Sequence, residues 1–386
     1  MASRVIELRA ARAAAVAVER DAARSVRLTV ALLVPIALLA VVGLGGILSA
    51  SSVVGIEETG DGLSYFKRQL VWMGLGVIAM VGAAFTPLRW WRRLAAPAFV
   101  ATLALLLAVL FVGVRANGAT RWLVLGPVSF QPSELAKLTT ILFLATLLSR
   151  REESIERFRD FLAIAAVSVG VVAGLIMLQP DLGTTLLMSA GAFAVMTASA
   201  AHASFVLSTG ILTGGIALIA ARTSEYQWAR VTSFLNLSAD PLGDGYQAVQ
   251  SLVALGTGGL FGVGLGASRA RWFFLPNAHT DFVFSIIGEE TGLAGSLTVV
   301  ALFVAITVVG TLIALTAADR FGRLLAIGIT TWLVTQAIVN IGGVIGVLPI
   351  TGVPLPFVSF GGSALITELG AVGILLSVIR DRSALR

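Results

Sequence analysis

Apolar residues fill ten stretches of the chain, at about 28–50, 70–86, 94–113, 134–148, 161–178, 185–200, 204–221, 283–315, 324–347 and 364–379. Each is near the length that crosses a hydrocarbon core of ~30 Å. The pattern predicts an all-α polytopic integral membrane protein of about ten transmembrane helices, with an N-terminal tail at 1–27, a transmembrane domain at 28–380 and a C-terminal tail at 381–386. Between the seventh and eighth runs lie residues 222–282, too many for a structureless connection, so they predict a large structured loop. Within it Gln247, Gln250 and Ser251 fall at i, i+3 and i+4, while Val249, Leu252 and Val253 take the other side. That spacing predicts a short amphipathic helix in the membrane interface. The glycines from Gly256 to Gly266 follow, without the Gly-Lys-Ser/Thr of a phosphate loop or the strand that precedes a dinucleotide fingerprint. The eighth run, counted from Asp281 to Leu315, would be about 50 Å as one straight helix. It must protrude or kink, and Gly292 and Gly295 are the candidate points.

Composition narrows the class. Of 386 residues 57% are hydrophobic and only 12% charged, with mean hydropathy +0.94; a soluble domain carries about 25% charged residues. The absence of cysteine excludes a disulfide frame, a thiolate metal site and a thiol nucleophile. The net charge of +6 is almost all arginine, since Lys67 and Lys137 are the two lysines. With the N-terminus inside, eighteen basic residues fall on inner segments and eight on outer ones. That asymmetry predicts both termini cytoplasmic and the 222–282 loop extracytoplasmic. The Ala- and Arg-rich tail reads as a surface helix drawn to anionic lipid or as a disordered segment, retained rather than cleaved.

Polar groups in apolar runs mark the candidate chemistry, because beside lipid they must face protein or water. Asp281, Ser285 and Glu289 fall at i, i+4 and i+8. Asp281 is either a functional carboxylate or a helix-start cap beside Thr280. His279 is placed to tune Asp281, to bind sugar, or to make a structural hydrogen bond, and Glu289 and Glu290 suit pairing within the protein. The segment from Arg115 to Glu134 has turn signals at Asn117-Gly118 and Gly126-Pro127, then Pro132, Ser133 and Glu134 at a helix start. Glu134 and Lys137 share a helical face; they form a structural ion pair, or Lys137 joins Arg121 in receiving an anionic ligand. Asp181, in Gln179-Pro-Asp-Leu-Gly-Thr184, reads as a helix cap in preference to a second site carboxylate. The Pro- and Gly-rich segment from Gly346 to Leu365, with Ser359 and Ser363, predicts an ordered irregular loop that lines a cavity or joins two helices, within reach of Glu368.

Several motifs together resemble one family. They are SASS at Ser49–Ser52, FKRQ at Phe66–Gln69, NGATRW at Asn117–Trp122, FQPSELAKL at Phe130–Leu138 and QPDLGT at Gln179–Thr184. GYQAVQSL at Gly245–Leu252, GGLFGVGLG at Gly258–Gly266, LPNAHTDFVF at Leu275–Phe284 and LPFVSFGGSAL at Leu355–Leu365 complete the set. In this order they resemble the SEDS family (shape, elongation, division and sporulation), and its division branch more than its elongation branch. The resemblance implies a peptidoglycan glycosyltransferase of the bacterial cytoplasmic membrane that polymerises lipid II into β-1,4 glycan on the extracytoplasmic side. It implies Asp281 as catalytic base. The substrate-binding candidates are Arg121, Gln131, Ser133, Glu134, Lys137, Gln250, Ser251, Arg271, His279, Thr280, Ser359 and Ser363. A divalent cation, magnesium or manganese, is implied without a ligand set. The implied partners are lipid II, the nascent glycan strand, a class B penicillin-binding protein and other division or elongation proteins, with no nucleic acid. Asn277 stands where members usually carry Glu, Thr291 where they carry Leu, and Phe360 and Ala364 where they carry Tyr and Ser; Asp281 is retained.

The chemistry suits a single carboxylate. Making a β link from an α-linked lipid diphosphate inverts the sugar carbon and needs a base for the attacking hydroxyl. The diphosphate leaves already ionised, so cations rather than a second carboxylic acid assist its departure. The competing readings are a transporter of the lipid-linked precursor, although no internal repeat is visible, and a membrane scaffold of the cell-wall machinery.

Overall fold

The computed structural model describes residues 2–116, 119–126, 128–150, 158–199, 202–223, 228, 234, 245–272 and 274–384. Asn117, Gly118, Pro127, Arg151, Arg157, Arg230 and the stretch 235–244 therefore lie outside the described residues. Helices α1 (Ala2–Thr59), α2 (Ser64–Phe85) and α3 (Leu88–Val112) come first, and α1 continues back through the predicted tail as far as Ala2. After a small sheet come α4 (Pro132–Ser149), α5 (Phe158–Met177, with a π turn at Ala166–Gly170), α6 (Leu182–Ala198) and α7 (Ala203–Thr223). The short α8 (Tyr246–Gly258) precedes α9 (Val283–Thr316), α10 (Arg320–Val344) and α11 (Gly362–Ala384). Each predicted apolar run falls on one of these helices, and seven are long and apolar enough to cross a membrane.

The segment after α3 amends the all-α expectation. Strands β1 (Val114–Ala116), β2 (Ala119–Leu125) and β3 (Val128–Phe130) form an antiparallel meander, with Arg115 opposite Thr120 and Val124 opposite Ser129. In β2 β-branched and aromatic residues recur among Ala-Thr-Arg-Trp-Leu-Val-Leu, a composition that suits a pleated, half-buried surface. Reading the segment as loop missed this because the run is far shorter than the apolar helices around it.

Burial sorts the helices into a centre and a periphery. The spans of α10 and α11 are 61% and 78% buried, against 17% for α2 and 28% for α3. Nearly every residue of α4 from Pro132 to Leu148 is also buried. A helix buried all round while carrying Glu134 and Lys137 must satisfy those charges inside the protein. The two pair with each other, and Gln336 of α10 accepts a further hydrogen bond from Lys137.

Helix α9 kinks at Gly292, one of the two predicted points, where φ is 70° and ψ −163°. The break is filled by backbone. Val263 and Gly264 N–H donate to the carbonyls of Glu289 and Glu290 at 3.0 and 3.1 Å, while Leu293 and Ala294 N–H donate to the carbonyls of Gly259 and Leu260 at 2.9 and 3.1 Å. The loop after α8 thus replaces helical hydrogen bonds that the kink removes, as buried backbone requires. The glycine cluster is the condition for this approach. A Cβ on Gly262, whose φ is +81°, would overlap the Glu290 carbonyl, and one on Gly292 would overlap the backbone of Leu260 and Gly262. Gly262→Ala is therefore expected to destabilise the protein by about 1–3 kcal/mol, read as a lower unfolding midpoint in detergent. An unchanged midpoint would show that the inserted loop yields without cost.

The predicted short helix exists as α8, with Ser251 on its inward face and Leu252 and Val253 on the opposite one. Ala248, Ser251, Ala254 and Gly258 are buried, while Leu252 and Val253 are exposed. Small side chains let α8 lie close on α9, with Gly258 against the Gly288 carbonyl; the larger aliphatics are turned away.

Candidate functional site

The turn from Leu275 to Phe282 is organised by one carbonyl. Asn277 O accepts from the N–H groups of Thr280 at 3.1 Å, Asp281 at 3.2 Å and Phe282 at 3.4 Å, and from the Thr280 hydroxyl at 3.2 Å. Asn277 has φ +57°, a left-handed conformation that asparagine tolerates better than most residues. Asp281 lies in the turn and not in α9, which starts at Val283 with Phe282 as its N-cap. This sets aside the cap alternative for Asp281 and corrects one expectation: Asp281, Ser285 and Glu289 do not form one helical stripe. Ser285 packs against Ser251 with hydroxyls 2.8 Å apart, and Ser251 also donates to the Val344 carbonyl at 2.7 Å. Gln250, beside it on α8, is half-buried.

Three other segments fix the turn. Asn340 on α10 donates from Nδ2 to the carbonyls of Asp281 at 2.9 Å and Val353 at 2.8 Å. Phe360 N–H donates to the His279 carbonyl at 3.0 Å, joining the turn to the last loop. The Leu275 N–H donates to the Ala270 carbonyl at 3.1 Å, joining it to the segment that carries Arg269 and Arg271. That segment hangs on Glu289, whose buried carboxylate accepts from the Ser268 hydroxyl and from the N–H groups of Arg269 at 3.1 Å and Ala270 at 3.3 Å. Pairing of Glu289 and Glu290 within the protein is as predicted, with Ser49 the partner of Glu290. Arg271 lies 5.7 Å from the Trp272 ring centre, the range of a cation–π contact.

The His279 ring packs at a tilt against Tyr65 and edge-on to Phe360, with ring centres 4.7 and 5.8 Å away. Burial among these rings pushes the His279 pKa below its usual 6.5, with the nearby Glu58 acting weakly in the other direction. A depressed histidine pKa means the unfolded chain binds the proton more readily. The stabilisation from neutral His279 is present above pH 6.5 and is lost as pH falls through the folded-state value. Between pH 7.5 and 5.5 the unfolding midpoint should drop more for the parent chain than for His279→Gln; equal drops would remove His279 as the cause.

A second polar centre lies among α4, α10 and α11. Lys137, without exposed surface, sits 2.8 Å from Glu134 and donates to Gln336 Oε1 at 2.9 Å. Trp332 Nε1 donates to the same oxygen at 2.9 Å. Gln336 Nε2 donates to Glu368 at 2.8 Å and to the Pro354 carbonyl at 2.9 Å. The other oxygen of Glu368 accepts from the N–H of Phe357 at 3.1 Å. Phe357 has φ +64°, so this bond holds a buried aromatic residue in an uncommon conformation. The last loop is ordered because side chains of α10 and α11 satisfy its backbone.

Most of the remaining candidates make hydrogen bonds within the protein. Arg121 Nε donates to the Gln179 carbonyl at 3.0 Å and its Nη2 to the Pro180 carbonyl. Asp181 caps α6, as predicted, accepting from the Thr184 N–H at 3.1 Å and also from Gln131 at 3.2 Å. The Gln131 N–H donates to the Ser363 hydroxyl at 3.1 Å, and Ser359 accepts from the Leu355 N–H at 2.8 Å. Ser133 is fully buried. The structure therefore brings His279, Thr280 and Asp281 to the last loop, and puts Lys137 and Glu134 in a separate buried network. Sequence reasoning missed Gln336 and Asn340, although two amides at i, i+4 in an apolar helix were a readable signal.

The described residues contain no group of three or more histidine, aspartate or glutamate side chains able to hold a metal ion. No all-protein cage for a divalent cation is therefore present among the described residues. Magnesium commonly takes one or two carboxylates together with substrate phosphates, so any such ion would come with a diphosphate.

Comparison with known proteins agrees with the motifs. The family model FTSW_RODA_SPOVE, described as cell cycle protein, matches residues 29–384. A probable peptidoglycan glycosyltransferase FtsW of Geobacter metallireducens is 40% identical over 332 residues, 86% of this chain and 88% of that protein. The stage V sporulation protein E of Bacillus subtilis is 42% identical over 347 residues, 89% of this chain and 94% of that one. Among solved structures, a chain of a peptidoglycan synthase complex superposes with TM-score 0.73 at 33% identity, covering 91% of this chain and 97% of that chain. The rod shape determining protein RodA of Thermus thermophilus gives 0.69 at 32% identity, covering 92% and 97%. With nearly the whole membrane domain matched in sequence and in fold, this chain belongs to the FtsW, RodA and SpoVE family of cell cycle proteins.

Proposed function

We propose that this multi-pass membrane protein is a peptidoglycan glycosyltransferase that extends β-1,4 glycan from lipid II with Asp281 as general base. The observation that carries the reading is the Leu275–Phe282 turn. It presents a half-buried carboxylate on a backbone held by Asn277, by Asn340 of α10, by Ala270 and by Phe360 of the last loop. Such multiple tethering is what preorganised catalysis needs, since a misplaced base loses its reach. Asp281 takes the proton of the attacking sugar hydroxyl as the new bond forms and the lipid diphosphate leaves with inversion. The leaving group needs cations and not an acid. Arg271, on the segment that Glu289 holds, is assigned to the diphosphate. Lys137 is assigned to the buried network that shapes the last loop. His279 and Thr280 flank the acceptor side. In this reading ten helices cross the membrane, both termini are cytoplasmic and the 222–282 segment faces outward with the active site. The cross-linking partner is a class B penicillin-binding protein, and a divalent cation arrives on the diphosphate. The test is purified protein with that partner and fluorescent lipid II, polymer and translocation being read in parallel. Glycan polymer is expected. Translocation in liposomes without polymer would overturn the reading in favour of a transporter.

A further inference from the structure

The loop inserted at the kink of α9 carries the most exposed large apolar side chains of this part of the molecule. Phe261 and Leu265 are each 84% exposed, Leu260 65%, and Trp272 and Phe274 are exposed beyond them. A soluble surface rarely gathers such groups. Their height relative to the bilayer is set by the backbone ladder described above. Gly259 and Leu260 are bonded to Leu293 and Ala294, the first residues after the break. From Leu293 to Thr316 the helix is about 36 Å long at about 1.5 Å per residue, which by itself crosses a core of ~30 Å. The kink therefore stands at one membrane boundary, with Arg320 and Arg323 beyond the opposite end. The loop must lie at that boundary too.

Its apolar face also continues a surface already facing lipid. Leu293, Leu297, Val304, Val308, Leu312 and Leu315 form an exposed stripe at helical spacing down α9, and Leu260 is bonded to the residue next to Leu293. Trp272, with Arg271 beside it, has the character of an interfacial belt.

The geometry points to the 260–265 loop as a lipid-inserting anchor, with Phe261 and Leu265 in the acyl region of the leaflet nearer Asp281. The loop is covalently continuous with the segment bearing Arg269 and Arg271, and that segment is bonded to the Asp281 turn through Ala270 and Leu275. Anchoring the loop sets the cations and the carboxylate at the level where a lipid phosphate lies. The anchoring does not depend on Asp281 being the base.

Because the chain has no cysteine, single nitroxide labels can be introduced at will. Phe261→Cys and Leu265→Cys, labelled in the full chain and reconstituted in phosphatidylglycerol/phosphatidylethanolamine vesicles, would be compared by power saturation with Val304→Cys as the lipid reference and Glu57→Cys as the aqueous one. Oxygen collision should exceed nickel-chelate collision at 261 and 265, as at 304. Chelate access equal to that at 57 overturns the proposal. So does protection that appears only when the penicillin-binding partner is added, which would make this a protein-docking surface. The readout needs no catalysis, so its failure is separable from failure of the glycosyltransferase reading.

Discussion

Asp281→Asn is expected to lower glycan polymerisation by about 10²–10⁴-fold, the usual contribution of a positioned general base, which a gel of lipid II products would read as no polymer. The substitution is nearly isosteric and removes the charge alone. The backbone bonds that build the turn, from Asp281 N–H to the Asn277 carbonyl and from Asn340 to the Asp281 carbonyl, do not involve the carboxylate. Folding and complex formation should therefore persist, and the loss should appear in the chemical step. Polymer at the parent level from this variant would remove Asp281 from the mechanism. Asn340→Ala provides the complementary case. It removes a tether without touching the carboxylate, and a smaller loss is expected from it than from Asp281→Asn.

Lys137→Met is expected to cost about 3–5 kcal/mol of stability, because it leaves the Glu134 carboxylate buried without its partner. The unfolding midpoint in a detergent titration measures this. The double variant Lys137→Met with Glu134→Leu should recover most of the loss, since replacing both members of a buried pair by apolar groups is often neutral. The double variant also separates two roles. If the cation serves only the core, recovered stability should bring recovered polymerisation. If it also meets the diphosphate, a stable protein would remain inactive. A single variant as stable as the parent would show that the network does not hold α4 in place.

Much of the architecture was legible because membrane helices obey two local rules, apolar length and charge exclusion. The ten apolar runs fall on helices, the kink falls at Gly292, and Asp181 caps α6. The small sheet at Val114–Phe130 was not legible, since three short strands compete poorly with long helical periodicities. Within the site, the turn bearing Asp281 was located by its motif, but its construction was not. Asn340 and Phe360 reach the turn from segments far along the chain, and no local pattern encodes that meeting. The close packing of α8 was not legible for a related reason. Amphipathicity ranks faces by polarity, whereas α8 chose its buried face by size, to approach α9 closely.

The sequence by itself determined that the chain is a membrane protein of this family, that Asp281 is retained, and that no thiol chemistry is available. These depend on composition and on residues in fixed local order. Only the tertiary structure decided which charges are consumed within the protein. Lys137 and Glu134 pair with each other among α4, α10 and α11, Arg121 directs its Nε and one Nη2 donor to the carbonyls of Gln179 and Pro180, and Glu289 holds the segment of Arg269. A buried charge must find its partner wherever the fold supplies one. Glu134 lies within one helical turn of Lys137 and was readable as its partner, whereas Gln336, the Gln179 carbonyl and the Ser268–Ala270 segment reach Lys137, Arg121 and Glu289 from elsewhere in the chain, beyond what a local pattern records.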